Sequence, residues 1–155
     1  PSPETYKRQS VVRRDAGMYD TILVPTDGSD AANRATEHAV SLARTFDADL
    51  YGLYVVDTQR YGKRTLGTED VLEELEERGH EVLAELEERA GAQQVQVTTA
   101  VVDGRPSSET MAYADEIDAD LIVLGNRGLG SGVDGTIGSN AERVVRHGDR
   151  PVITA

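Results

Sequence analysis

The 155-residue chain has no cysteine. That excludes disulfides, thiolate catalysis and cysteine-ligated zinc. No apolar run approaches the ~20 residues of a membrane span. The N-terminal residues lack the apolar core of a signal peptide. These absences lead to the expectation of a soluble, cytoplasmic protein with no membrane partner. Lysine is nearly missing, with Lys7 and Lys63 standing against 14 Arg.

Positive charge is scarce as a whole. Asp and Glu number 28 against 16 Lys and Arg, for a net charge of −12. Residues 1–17 carry Lys7, Arg8, Arg13 and Arg14 against Glu4 and Asp15. Residues 18–155 therefore hold 12 basic and 26 acidic side chains, a net of −14. Such a field repels the phosphates of nucleic acids and anionic lipid, so neither is an expected partner. Strong acidity with scarce lysine points to adaptation to high salt, where self-repulsion is screened. An ordinary acidic cytosolic protein is the plainer alternative.

Several chemical signatures are missing too. There is no GxxxxGK[ST], and neither Gly125 nor Gly128 opens a GxGxxG. No Ser, His and acid fall in a nucleophile-elbow context. His38, His80 and His147 lie far apart without partners at metal-ligand spacing, and read as structural or solvent-facing. Ser107-Ser108 reads as a helix cap. No catalytic residue is assigned.

What is present alternates between two periods. Residues 1–17 have little apolar content and no sustained period, and are expected to form a flexible tail before a compact domain over 18–155. Thr21–Pro25 is a short β-branched run of the buried-strand kind. Ser29 then caps a helix through Phe46. Leu50–Val56 reads as a strand. A helix follows from Thr68 to Ala90, closed by Gly91, with an apolar stripe of Val71, Leu72, Leu75, Val82, Leu83, Leu86 and Ala90. Gly79 falls near that stripe and marks a close contact; the Glu-rich opposite face reads as solvated. Val95–Val102 is a strand, Pro106 and Ser107 open a helix to Ile117, and Leu121–Leu124 is a fully apolar strand. A helix over 139–146 and a strand over 151–155 end the chain. Strands alternating with helices imply an α/β fold, a parallel sheet with helices on both faces and right-handed crossovers.

Six glycines, Gly125, Gly128, Gly130, Gly132, Gly135 and Gly138, fall between the Leu121–Leu124 strand and the next helix. In open α/β sheets, ligands bind at this end of the strands. Glycine lets backbone approach a ligand closely. The free N–H groups and dipole of a helix start favour an anion such as phosphate. Ser139 adds a hydroxyl, and Arg127 a guanidinium suited to forked phosphate contacts. Taken alone, the glycines are equally consistent with a flexible surface loop.

The spacing Gly125-Asn-Arg-Gly128, nine residues, Gly138-Ser139 resembles the G-x2-G-x9-G-[ST] pattern of the ATP-binding branch of the universal stress proteins. Tyr19–Ser29, Tyr54–Asp57, Gly104–Pro106, Ala119–Gly125, Glu142–His147 and Arg150–Val152 resemble, in order, further segments of that family. The resemblance implies a five-stranded parallel sheet of order 3-2-1-4-5, Rossmann-like, that binds ATP (or AMP or ADP) across its strand ends. Carried over by position, Pro25, Thr26 and Asp27 would border the adenosine, with Asp27 near the ribose or a Mg²⁺ ion. Val55 would meet the adenine. Gly125, Arg127, Gly128, Gly138, Ser139 and Asn140 would hold the phosphates. Asn140 and Ala141 depart from the family pattern, and Ala141 removes one hydroxyl from the phosphate cradle. Similar proteins form homodimers by antiparallel pairing of the last strand, here Val152–Ala155. Three functions stay open: a nucleotide-dependent stress or regulatory protein, a slow ATP hydrolase, and an interaction module that no longer binds nucleotide.

Overall fold

The computed structural model describes residues 19–58, 69–125, 142–145 and 150–155. Its strands are β1 (Thr21–Pro25), β2 (Asp49–Asp57), β3 (Val97–Gly104), β4 (Leu121–Leu124) and β5 (Val152–Thr154). Three helices join them: α1 (Asp30–Phe46), α2 (Glu69–Ala92) and α3 (Pro106–Ile117). Residues 142–145 are helical as well. The strands form one sheet in the order β3-β2-β1-β4-β5, and every pair is parallel. The expected 3-2-1-4-5 architecture is therefore the one observed.

Alternation along the strands assigns the two faces. Ile22 and Val24 of β1, Leu50 of β2 and Leu121 and Val123 of β4 share a core with Ala35, Ala39 and Ala43 of α1 and Leu83, Leu86 and Ala90 of α2. Leu23, Leu53, Ile122 and Leu124 point the other way, into a core with Ala114 of α3 and Val144. Central strands with both faces buried explain why β1 and β4 read as unbroken apolar runs.

The helix signals hold in part. Ser29 caps α1, its Oγ accepting from the Ala32 N–H at 3.1 Å. Asp47, in the left-handed region at φ 54°, closes α1 after Phe46. Gly79 makes the close contact its place on the stripe implied: a β-carbon there would lie 2.6 Å from the Tyr54 ring. Two expectations are corrected. Gly91 does not end α2, which runs to Ala92. The turn is closed by Gln94 at φ 64° and by the Val95 N–H donating to the Ala90 carbonyl at 2.8 Å. The backbone bonds there do not require a residue without a side chain. At α3 the capping position belongs to Arg105, which makes no side-chain cap hydrogen bond, while Ser107 is buried within the first turn.

Polar ties set the strand starts. Asp120 Oδ2 accepts from the N–H groups of Asp20 and Thr21, both at 2.9 Å. The Arg150 guanidinium, just ahead of β5, donates to the Ala119 carbonyl at 2.6 Å and to Asp115 Oδ1 at 3.0 Å. β5 is thereby fastened to the end of α3.

Candidate functional site

β1 and β4 are neighbours, yet the chain leaves β1 toward β2 and enters β4 from β3. Their C-terminal ends therefore flank the point where the winding of the sheet reverses, the usual ligand crevice of such folds. The described parts of the predicted site lie at or beside these strand ends. Pro25 is the last residue of β1 and is buried; Thr26 and Asp27 open the turn into α1; Val55 is near the end of β2; Gly125 directly follows β4. Arg127, Gly128, Gly138, Ser139 and Asn140 lie outside the described residues, as does Ala141.

The β1–α1 turn is built from its own side chains. The Thr26 N–H donates to the Leu53 carbonyl at 2.8 Å, fixing the turn to β2. Thr26 Oγ1 accepts from the Gly28 N–H at 3.1 Å. Asp27 Oδ1 accepts from the Ser29 N–H at 2.9 Å. Gly28 sits at φ 82°, and a β-carbon on it would fall 2.9 Å from Val82 Cγ2 and 3.3 Å from an Arg78 guanidinium nitrogen. That φ is readily adopted by glycine alone, and α2 braces the turn from behind. The turn thus spends the N–H groups of Gly28, Ser29 and Ala32 on its own side chains.

Gly125 has a packing reason of its own. A β-carbon there would lie 2.7 Å from the carbonyl carbon and oxygen of Ala31 and 2.8 Å from the Ala32 nitrogen. The backbone leaving β4 thus passes against the first turn of α1. The same contact draws the two walls of the crevice together.

On the α3 side the crevice is apolar. Pro25 follows Leu23 at a spacing of two, and Val55 follows Leu53, so both face α3. Val55 and Val102 are in register across β2 and β3 and pack on that core. Such a surface suits the flat face of a base. For a metal, Asp27 offers a carboxylate already holding one N–H, and the described residues contain no group of three or more His, Cys, Asp or Glu able to hold an ion. A Mg²⁺ ion would fit only as a companion of bound phosphates, its usual habit. His38 and His80 are exposed, as expected; His147 is outside the described residues. A separate groove of about 490 Å³ between α1 and α2, lined by Thr36, Val40, Leu86, Arg89 and Gln93 among others, contains none of the described site residues.

The fold agrees with that of known proteins. The sequence profile of the universal stress protein family matches residues 18–155. The chain belongs to the universal stress protein family. A universal stress protein of Methanocaldococcus jannaschii is 35% identical over 150 residues, covering 96% of this chain and 88% of that one. Among solved structures, universal stress protein UspA from Lactobacillus plantarum superposes with a TM-score of 0.77 at 32% identity, covering 88% of this chain and 97% of that chain. A universal stress protein solved in complex with cAMP matches with a TM-score of 0.66 at 28% identity, covering 88% of this chain and 96% of that chain.

Two residues of this universal stress protein were not among the expected site residues. Gly28 lies in a Thr-Asp-Gly-Ser turn whose need for a left-handed residue was a legible signal. Thr110 carried none: it occupies an ordinary helical position, and only the fold shows it fully buried with its hydroxyl unpaired. No helix among the described residues is long and apolar enough to cross a membrane.

Proposed function

We propose that this universal stress protein binds an adenine nucleotide (ATP, or AMP or ADP) at the C-terminal strand ends and acts as a nucleotide-dependent stress or regulatory protein in the cytoplasm. The observation that carries the reading is that Pro25, Val55 and Gly125 lie toward the C-terminal ends of β1, β2 and β4, beside the winding reversal of the sheet, where the glycine-rich segment begins. A family member holding cAMP supports it. In this reading Val55 and Pro25 receive the base, and Asp27 lies by the ribose or a phosphate-bound Mg²⁺. Gly125, Arg127, Gly128, Gly138, Ser139 and Asn140 hold the phosphates. None of the described groups is placed as a base for water attack, so hydrolysis, where it occurs, is slow. The acidic surface works best in high salt. Two copies pair antiparallel through Val152–Ala155, since β5 ends the described sheet with one side unpaired and an open edge invites another strand.

Equilibrium dialysis with ATP and Mg²⁺ in molar KCl tests the reading. The expected result is saturable binding near one nucleotide per chain, lost in a Gly138→Val, Ser139→Ala variant. Absence of binding up to millimolar ATP would overturn it in favour of an interaction module, the role that Ala141 and the acidic field would then fit. Steady-state phosphate release above about one per second, within the ordinary enzymatic range, would make the protein an enzyme instead.

A further inference from the structure

Thr110 is fully buried, and its Oγ1 has no hydrogen-bond partner. Leaving such a group unpaired costs its desolvation with nothing in return, so an orphaned hydroxyl calls for a reason. Its position in the fold supplies one. The buried face of α3 comprises Pro106, Ser107, Thr110 and Ala114. Ala114 shares a core with Leu53 of β2, which is in register with Pro25 of β1. In a right-handed β-α-β crossover the helix runs against the strands, so moving back along α3 climbs toward the C-terminal strand ends. Four helical residues rise about 6 Å. Two strand residues advance about 6.6–6.8 Å. Thr110 therefore falls in the next layer up, that of Val55 and Val102, just above Pro25. Helical side chains also lean toward the helix N-terminus, here toward the crevice.

We infer that Thr110 is the base-reading residue of the proposed nucleotide site, its hydroxyl hydrogen-bonding a polar edge of the purine seated on Val55 and Pro25. The inference rests on the adenine-nucleotide reading above. The layer is otherwise apolar, so a base face satisfies its walls while the Thr110 hydroxyl meets a ring nitrogen or exocyclic group. Ser107, 1% exposed and one step nearer the rim, stands next in line along the same helical face.

The test compares ATP affinity of wild type, Thr110→Val and Thr110→Ser by titration. Valine keeps the shape and removes the hydroxyl; serine keeps the hydroxyl and removes a methyl. The expected result is a five- to tenfold loss of affinity for Thr110→Val, the size of one ordinary hydrogen bond, with Thr110→Ser staying within about twofold of wild type. Equal affinity of Thr110→Val and wild type overturns the inference and leaves Thr110 a plain orphan of the core. An equal loss in both variants overturns it too, because shape would then be at work and not the hydroxyl. If wild type binds no ATP, the nucleotide reading itself fails, and the inference falls with it. The thermal midpoint of Thr110→Val is expected to rise in every case, so a loss of affinity cannot be laid to unfolding.

Discussion

Gly125→Ala offers a sharp perturbation of this fold, because the obstacle is backbone. The new β-carbon would sit 2.7 Å from the Ala31 carbonyl carbon and oxygen and 2.8 Å from the Ala32 nitrogen. Ordinary contacts begin near 3.4 Å, so α1 and the end of β4 must part by about 0.7 Å. Neither side yields easily. Ala31 and Ala32 are buried in the first turn of α1, whose N-cap is held by Ser29, while β4 is locked between β1 and β5. Overpacking a well-filled core costs about 1–3 kcal/mol, and a backbone obstacle places this variant toward the upper end. Urea denaturation should show the midpoint falling with the slope unchanged, since the surface exposed on unfolding is nearly the same. ATP affinity should fall as well, because the displaced pieces are the two walls of the crevice. An unfolding free energy within about 0.3 kcal/mol of wild type would refute the packing argument.

Gly91→Ala should act in the opposite direction: it lies inside α2 with nothing within 4 Å of its added β-carbon, so a gain of about 0.5–1 kcal/mol in the same urea assay is expected. Tyr51 and Tyr113 meet edge to face at 6.3 Å, and burial above all holds both phenols above their ordinary pKa of 10.0. Folded protein thus keeps these protons more tightly than the unfolded chain. Their contribution is whole below pH 10 and is lost as pH rises through the raised values. Alkaline titration of stability should show that loss, and Tyr113→Phe should shrink it. With a net charge of −12, the denaturation midpoint should rise from dilute buffer to molar KCl as self-repulsion is screened; an unchanged midpoint would count against the high-salt reading. Light scattering at micromolar concentration should give twice the chain mass, and a one-chain mass would exclude the β5 dimer.

Much of this architecture was written in simple periods. The unbroken apolar runs at Thr21–Pro25 and Leu121–Leu124 are strands covered on both faces. The stripe of α2 lies where a 3.6-residue repeat puts it, with Gly79 under Tyr54. Errors arose where a local rule had a competitor. Gly91 is a permissible helix end, but the Gln94 backbone closes the turn without it. Ser107 is a good capping residue type, but Pro106 next to Arg105 starts the helix earlier and turns Ser107 inward. Gly125 was expected to be glycine for a ligand, and its contact with Ala31 was not legible, because that approach joins residues 94 positions apart. Thr110 was invisible for a similar reason: burial and lack of a partner belong to the packed fold and leave no mark on spacing or composition.

Amide chemical-shift mapping during an ATP titration addresses the central claim most directly. The account predicts saturable shifts at Thr26, Asp27, Val55 and Gly125, at the C-terminal strand ends, with Asp20, Asp49 and Asp120 at the opposite ends unmoved. Shifts confined to the α1–α2 groove at Thr36, Arg89 and Gln93, or no shifts at millimolar ATP, would contradict it.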